Sequence, residues 1–154
     1  MQDNQSDIIS EIKANKVLLE QALDNSGVAV SQQDLGLYYT HFTNTHRGMA
    51  GEDLIGKTDS DWLPKSEARK FTDIKVRALE GKKGVREIFK STLAGGDEGD
   101  VYYNDVRVEP IIENGKVIGI YTISIDITEF HKALKRLEDL NGRLLKYIEG
   151  QLKA

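Results

Sequence analysis

The sequence predicts an α+β fold: a five-stranded antiparallel sheet with short helices on one face and a coiled-coil-like helix at each end. Both ends of the 154-residue chain space their apolar residues as helices do, whereas the middle changes to strand-like runs. The Asn114-Gly115 dipeptide predicts a tight hairpin, because both residues tolerate the positive φ of a type I′ turn. The last strand-like run, residues 117–127, is apolar at both parities, which predicts that both faces of this strand are covered.

Composition limits the classes of protein to which the chain can belong. Hydrophobic residues make up 39% and charged residues 30%, which suits one domain with a real core and flanking elements. A net charge of -4 argues against a nucleic-acid binder, which needs a basic face. The absence of cysteine excludes disulfides, thiol nucleophiles and Cys-ligated zinc. No apolar run is long enough to span a membrane, so we expect a soluble, cytoplasmic protein.

The elements follow from the N-terminus onward. Residues 6–23 predict a helix with one narrow apolar stripe, which suits a coiled-coil seam; the stripe is Ile9, Ile12, Leu19 and Leu23. Two short strands are predicted at residues 28–30 and 35–42, joined by a polar turn at residues 31–34. Residues 64–80 predict the main central helix, with Pro64 in its first turn and Gly81 at its end.

A meander of three strands and a final helix complete the prediction. The strands are expected at residues 85–93, 101–112 and 117–127. After residue 128 the chain is charged and helical to its end, with two heptad series of mainly apolar residues: Phe130, Leu137 and Leu144, and Leu134, Asn141 and Ile148. The first and last helices therefore carry separate apolar seams, which predicts a homodimer in which the N-terminal helices pack across the outer sheet faces.

Three short motifs in the right order resemble those of a PAS domain, the small sensory module of bacterial signalling proteins. They are DLIGKTD at residues 53–59, VRVEPI at residues 106–111 ahead of the Asn114-Gly115 hairpin, and ISIDITE at residues 123–129. The stretches TNTH at 43–46 and DWLP at 61–64 look most like PAS domains of bacterial sensor histidine kinases. The resemblance implies an N-terminal dimerisation helix at 1–23, a PAS domain at 24–128 and a signalling helix at 129–154.

The resemblance also implies a ligand pocket between the inner face of the sheet and the small helices. Asn104 and Ser124 fall where flavin-binding relatives place amides. Strand parity puts further residues on the same wall. With the aromatic candidates, the predicted pocket set is Asn104, Val106, Val108, Ile120, Thr122, Ser124, Trp62 and Phe71. An apolar wall with a few polar groups is typical of a small-molecule site. The alternative is that the polar groups bond backbone or buried water in a ligandless core.

The residues that the chain lacks exclude several kinds of cofactor site. Haem-binding relatives use a histidine on the central helix, and residues 64–80 contain none. His41 and His46 do not have the spacing of a metal site, and structural or surface roles are expected for both. His131 is expected to be a solvated surface residue. Without cysteine, flavin–cysteinyl photochemistry is excluded, while a non-covalent flavin or another small molecule stays open. The GGDE stretch at residues 95–98 resembles part of a diguanylate-cyclase signature and is interpreted as chance.

Two functions remain, and neither is enzymatic, because no catalytic set of residues is apparent. The first is a sensory module that binds a small ligand or partner and relays the change through its terminal helices to an output domain such as a histidine kinase. The second is a ligandless homodimerisation and relay module. Asp126 and Thr128, where sheet becomes helix, are the predicted relay residues, and Thr128 is also expected to cap the final helix.

Overall fold

The computed structural model describes residues 2–24, 26–43, 51–92 and 101–154. The chain forms helix α1 (Gln2–Leu23), strands β1 (Val28–Asp34) and β2 (Tyr39–Thr43), 3₁₀ turns at Gly51–Leu54 and Asp59–Asp61, helix α2 (Lys65–Gly81), strands β3 (Val85–Ser91), β4 (Tyr102–Glu113) and β5 (Lys116–Asp126), and helix α3 (Thr128–Leu152). This order confirms the predicted α+β fold class.

The five strands form one antiparallel sheet in the order β2-β1-β5-β4-β3. Its centre therefore joins the first strand to the last, with Val28 opposite Ile125 and Asp34 opposite Gly119. A Cβ at Gly119 would overlap the backbone carbonyl of Gln33 on the neighbouring strand, so this close pairing requires glycine. Helix α2 packs its apolar face on the inner side of the sheet, where the hydrophobic core lies.

The predicted turn between the first two strands was wrong. Residues 31–34 continue β1, because Ser31 and Gln33 point inward and are buried. The chain turns afterwards, at residues 35–38. There Asp34 Oδ1 accepts hydrogen bonds from the backbone N–H groups of Gly36 (2.9 Å) and Tyr38 (3.0 Å). The aspartate side chain thus fixes the turn in place of a tight dipeptide.

The predicted hairpin between β4 and β5 is confirmed. Asn114 and Gly115 adopt φ of 51° and 74°, the left-handed values that the turn requires. The strand bounds of the meander differ from the predicted ones only at their ends. The N-terminal helix begins earlier than predicted, at Gln2.

The terminal helices display large apolar side chains to solvent. On α1, Ile12 and Leu19 are 62% and 65% exposed, and on α3 Phe130 and Leu137 are 67% and 59% exposed. On the outer sheet face Ile125 is 39% exposed. The structure thus leaves the two predicted seams uncovered within one chain. None of the helices in the described parts of the chain is both long and apolar enough to cross a bilayer.

Candidate functional site

The wall predicted for a pocket faces inward as expected, but most of it is packed. Val106, Val108 and Ile120 are at most 1% exposed and belong to the hydrophobic core under α2. Asn104 is 8% exposed and lies opposite Phe89 of β3, away from the cavity described next. Strand parity therefore predicted the face correctly, but these four positions contribute to the core rather than to an open site.

A small cavity of about 40 Å³ lies between the sheet and the α2 side of the domain. Four of the predicted pocket residues line it, namely Trp62, Phe71, Thr122 and Ser124. The remaining lining residues are Ala29, Ser31, Tyr39 and Phe42, none of which was predicted. The cavity therefore lies toward β1 and β2, closer to the end of the sheet opposite β3.

Two of the residues that line this cavity each carry a buried polar atom that has no hydrogen-bond partner among the described residues. They are Thr122 Oγ1 and Trp62 Nε1. A buried polar group left unpaired costs about 1–3 kcal/mol, so a bound polar molecule would be stabilised here. A water needs roughly 10–15 Å³ of such space, and the cavity is large enough for it. The site thus accommodates water or a very small polar ligand.

A flavin does not fit this cavity. Ligand pockets for ring systems of that size typically measure about 300–1,000 Å³, and this one measures about 40 Å³. The surrounding rings fill the space, since the Tyr39 ring lies 5.3 Å from Phe42 and 6.4 Å from Trp62, centroid to centroid. In the described conformation the aromatic side chains therefore occupy the room that a larger ligand would need.

Beside the cavity lies a buried charged cluster that the sequence reading missed. Lys75 of α2 places its ammonium 2.5 Å from Asp59 Oδ1, and the two side chains are 0% and 1% exposed. The Tyr39 hydroxyl donates to the same carboxylate oxygen at 2.5 Å, and the Thr72 hydroxyl donates to Oδ2 at 3.0 Å. The ammonium also lies 3.8 Å from the centre of the Phe71 ring. The cluster links β2, the second 3₁₀ turn and α2.

Burial controls the ionisation of this cluster. It lowers the pKa of Lys75 to about 8, against the opposing attraction of Asp59. Burial, followed by the negative charge of Asp59, raises the pKa of Tyr39 well above its ordinary value. At neutral pH the lysine is therefore cationic and the tyrosine neutral, which is the state that forms the observed bonds. A buried pair of this kind is costly to break, because the remaining charge stays unpaired.

One signal in the sequence could have revealed the cluster. Lys75 follows Phe71 by four residues and precedes Ala78 by three, which places a charged residue on the apolar face of α2. All three are buried in the structure. A lysine in such a position demands a buried partner, and the DLIGKTD motif supplied it in Asp59.

The predicted relay residues lie at a hydrogen-bonded junction of β4, β5 and α3. Asp126 Oδ1 accepts from the backbone N–H of Thr128 at 2.9 Å and from its hydroxyl at 2.6 Å. The Thr128 hydroxyl oxygen in turn accepts from the backbone N–H of Tyr103 on β4, at 3.1 Å. Thr128 thus bonds the sheet rather than the first turn of the helix, which corrects its expected role as the cap. Asp126 supplies the carboxylate at the helix start.

The three histidines differ in their surroundings. His131 stacks on the Tyr103 ring with centroids 3.7 Å apart and is half-buried, which corrects its expected surface role. His41 is exposed on β2, as expected. His46 and the GGDE stretch at 95–98 lie outside the described residues. Within the described ranges, no group of three histidine, aspartate or glutamate side chains is arranged to hold a metal ion.

Comparison with known proteins gives matches of sequence and of fold. The family model described as PAS fold matches residues 23–132. The chain is 27% identical over 134 residues to a probable histidine kinase 1 of Oryza sativa subsp. indica, and 27% identical over 125 residues to histidine kinase 5 of Arabidopsis thaliana. These alignments cover 86% and 80% of this chain but 13% of each relative. The crystal structure of a PAS domain from Colwellia psychrerythraea superposes with a TM-score of 0.56 at 20% identity, over 73% of this chain and 98% of that one.

Proposed function

The chain belongs to the PAS fold family, and from that premise we propose that it is a sensory module that relays changes in its sheet to helix α3. The observation that carries the proposal is the junction at Asp126 and Thr128. Side chains there bond the last strand, the neighbouring strand and the first turn of α3 within a few ångströms of one another. A shift of β4 against β5 therefore moves the start of the helix directly.

The proposed input is a small polar ligand or a partner that alters packing beneath the sheet. Thr122 Oγ1 and Trp62 Nε1 offer unused polar groups to a ligand in the cavity. Thr122 and Ser124 lie on β5 within a few residues of Asp126, so occupancy of the cavity is connected to the junction along one strand. The alternative is a ligandless dimerisation and relay module. The cavity volume of about 40 Å³ favours it, since little room is left for a ligand.

The proposed output is a histidine kinase domain of a two-component system, supported by the two plant relatives. The division into a dimerisation helix at 1–23, a PAS domain at 24–128 and a signalling helix at 129–154 forms part of this proposal, as does a non-catalytic role for the domain itself. A homodimer would pair the exposed heptad series of α3, with Asn141 as a polar core position that sets register.

The decisive experiment measures ligand and helix together. Purified protein is analysed by native mass spectrometry for a bound small molecule and screened with small polar compounds by thermal shift, because ligand binding raises apparent stability. The distance between the two α3 helices of the dimer is then measured with and without the best compound, in the parent and in Asp126→Ala. By reciprocity, a coupled junction requires the variant to change ligand affinity.

Matched variants separate the two functions. Thr122→Val keeps the shape of the side chain and removes the unpaired hydroxyl, so it should weaken a cavity ligand about tenfold or more. Asn104→Ala lies off the cavity and should leave that affinity unchanged, which revises the sequence-based expectation for Asn104. If no compound binds but the α3 distance responds to Asp126→Ala, the ligandless relay is supported. If the distance never responds, the relay proposal fails.

A further inference from the structure

The far edge of the sheet, beneath α2, forms a groove of about 480 Å³. Strand β3 is its floor and the exposed side of α2 is its wall. The charged residues that line the groove, with one exposed apolar residue, are Arg69, Lys70, Asp73, Glu87, Lys90 and Ile88. Neither the cavity near β1 and β2 nor the Asp126 junction shares any of these residues.

The charges of the groove are unbalanced. Arg77 bonds Asp73 through Nε at 3.0 Å and also bonds the Glu87 carboxylate, so one cation is shared by the two acids. The cations Arg69, Lys70 and Lys90 are exposed, and none of them forms an ion pair with a described residue. The groove is therefore a local positive surface on a chain whose net charge is -4.

The floor of the groove is an edge strand. Within the described parts of the chain, β3 pairs with β4 on one side and with no strand on the other. Its side chains alternate: Phe89 points toward α2 and is buried, whereas Ile88 points to the outer face and is 54% exposed. An edge strand beside a helix accepts an added strand, the geometry in which extended peptides bind by β-augmentation.

We propose that an extended acidic segment of a partner protein adds to β3 as a sixth strand in this groove. Side chains of an added strand alternate between the two faces of the sheet. Acidic residues on the α2 side would meet Arg69 and Lys70. Apolar residues on the outer side would pack beside Ile88 and the aliphatic part of Lys90, which the alternation of β3 places on the same face. The preferred partner is therefore an extended segment in which acidic and apolar residues alternate.

The test uses three fluorescein-labelled peptides of seven residues. One alternates glutamate and valine, one alternates lysine and valine, and one carries a central proline in the glutamate–valine sequence. Affinity is measured by fluorescence anisotropy at low salt, and hydrogen exchange of the β3 amides is followed by NMR. We expect binding of the first peptide alone, with new protection at alternate β3 amides, because one strand edge bonds every second residue.

Charge reversal tests the groove itself. Arg69→Glu/Lys70→Glu should weaken the glutamate–valine peptide about tenfold or more, since it replaces two attractions with repulsions. The control Lys57→Glu/Lys116→Glu changes the net charge equally on exposed lysines outside the groove and should change affinity less than about twofold. Circular dichroism verifies that both variants stay folded.

Four results would overturn the inference: no binding, equal binding of the lysine–valine peptide, binding without protection of β3 amides, or tighter binding of a single-stranded oligonucleotide. The last would assign the positive surface to phosphate groups rather than to an acidic peptide.

Discussion

The inner side of the sheet and the terminal helices differ in where they place side chains that are costly to accommodate. The first buries a charged residue, and the second exposes large apolar residues. Beneath α2 the Lys75 ammonium is fully buried, and Asp59 and Tyr39 surround it. On α3, Phe130 and Leu152 remain 67% and 82% exposed. The first region pairs its charges and buries its apolar surface within one chain, whereas the second leaves large apolar side chains exposed to solvent, where the proposed dimer would cover them. Substitutions in the first should act independently of protein concentration, and substitutions in the second should depend on it.

The largest effect is expected from Lys75→Met. The change leaves the Asp59 carboxylate buried without its cation, which should lower the free energy of unfolding by about 3–5 kcal/mol. Urea unfolding followed by circular dichroism measures it, at two protein concentrations that should agree.

The double variant Asp59→Asn/Lys75→Met is the matched control. It removes both charges and should recover most of the loss, because no unpaired charge remains. If the double variant is as unstable as Lys75→Met, hydrogen bonding and packing, rather than charge pairing, hold this region together.

The next largest effect is expected on the oligomeric state, and it tests the exposed apolar residues of the terminal helices. The parent should be a dimer at tens of micromolar, with twice the chain mass of 17.3 kDa, and Leu137→Glu should convert it to a monomer. A charge in the apolar seam would repel its counterpart across the two-fold axis. Light scattering gives the mass, and Lys135→Glu, exposed on the same helix, is the control. A monomeric parent would remove the dimer from the proposal.

A smaller effect is expected at the junction between the two regions. Thr128→Ala deletes the acceptor of the Tyr103 N–H bond and should cost about 1–2 kcal/mol of folding stability. Thr128→Ser keeps the hydroxyl and should retain most of that stability. Hydrogen exchange at the Tyr103 amide should accelerate in the alanine variant alone, and unchanged exchange there would show that the bond contributes nothing.

The smallest effect is expected for an ion pair on the surface of the sheet, between Arg86 and Asp105. Arg86 binds Asp105 through two hydrogen bonds, at 2.9 and 2.6 Å, and these hydrogen bonds lower the pKa of the Asp105 carboxyl below its ordinary value. Because the folded pKa is the lower one, the contribution to stability is complete above the unfolded value and is lost as pH falls through the folded value. NMR titration of Asp105 should show a higher pKa in Arg86→Gln than in the parent. An unchanged titration would mean that the arginine does not act on this group.

The sequence predicted the sheet and its inward face because both depend on a local property, the alternation of side chains between the two faces of a strand. Asn114-Gly115 sets the β4–β5 hairpin and with it the parity that buries Val106, Val108 and Ile120. The cavity and the charged cluster were not predictable in the same way. Tyr39, Asp59 and Lys75 come from three segments, and only tertiary packing brings them together.

The errors also have local causes. The polar run at residues 31–34 reads as a turn by composition, but Asp34 bonds two amides beyond it and shifts the turn onward. Thr128 has the residue type of a helix cap, yet its hydroxyl oxygen accepts from the Tyr103 N–H of β4 instead. In both cases the position of a side-chain hydrogen bond, and not the average preference of the residue type, decides the local structure.

The central pairing of β1 with β5 has a mechanical consequence. The two strands are antiparallel, so α1 ends and α3 begins at the same end of the pair, where the Asp126 N–H donates to the Gly27 carbonyl at 2.9 Å. Force that separates the two helices would therefore load the hydrogen bonds one at a time, beginning at the bond between Asp126 and Gly27 and continuing to the pair of Val28 and Ile125. The pairing between the first and last strands is therefore the part of the sheet that a pull on the two helices loads first.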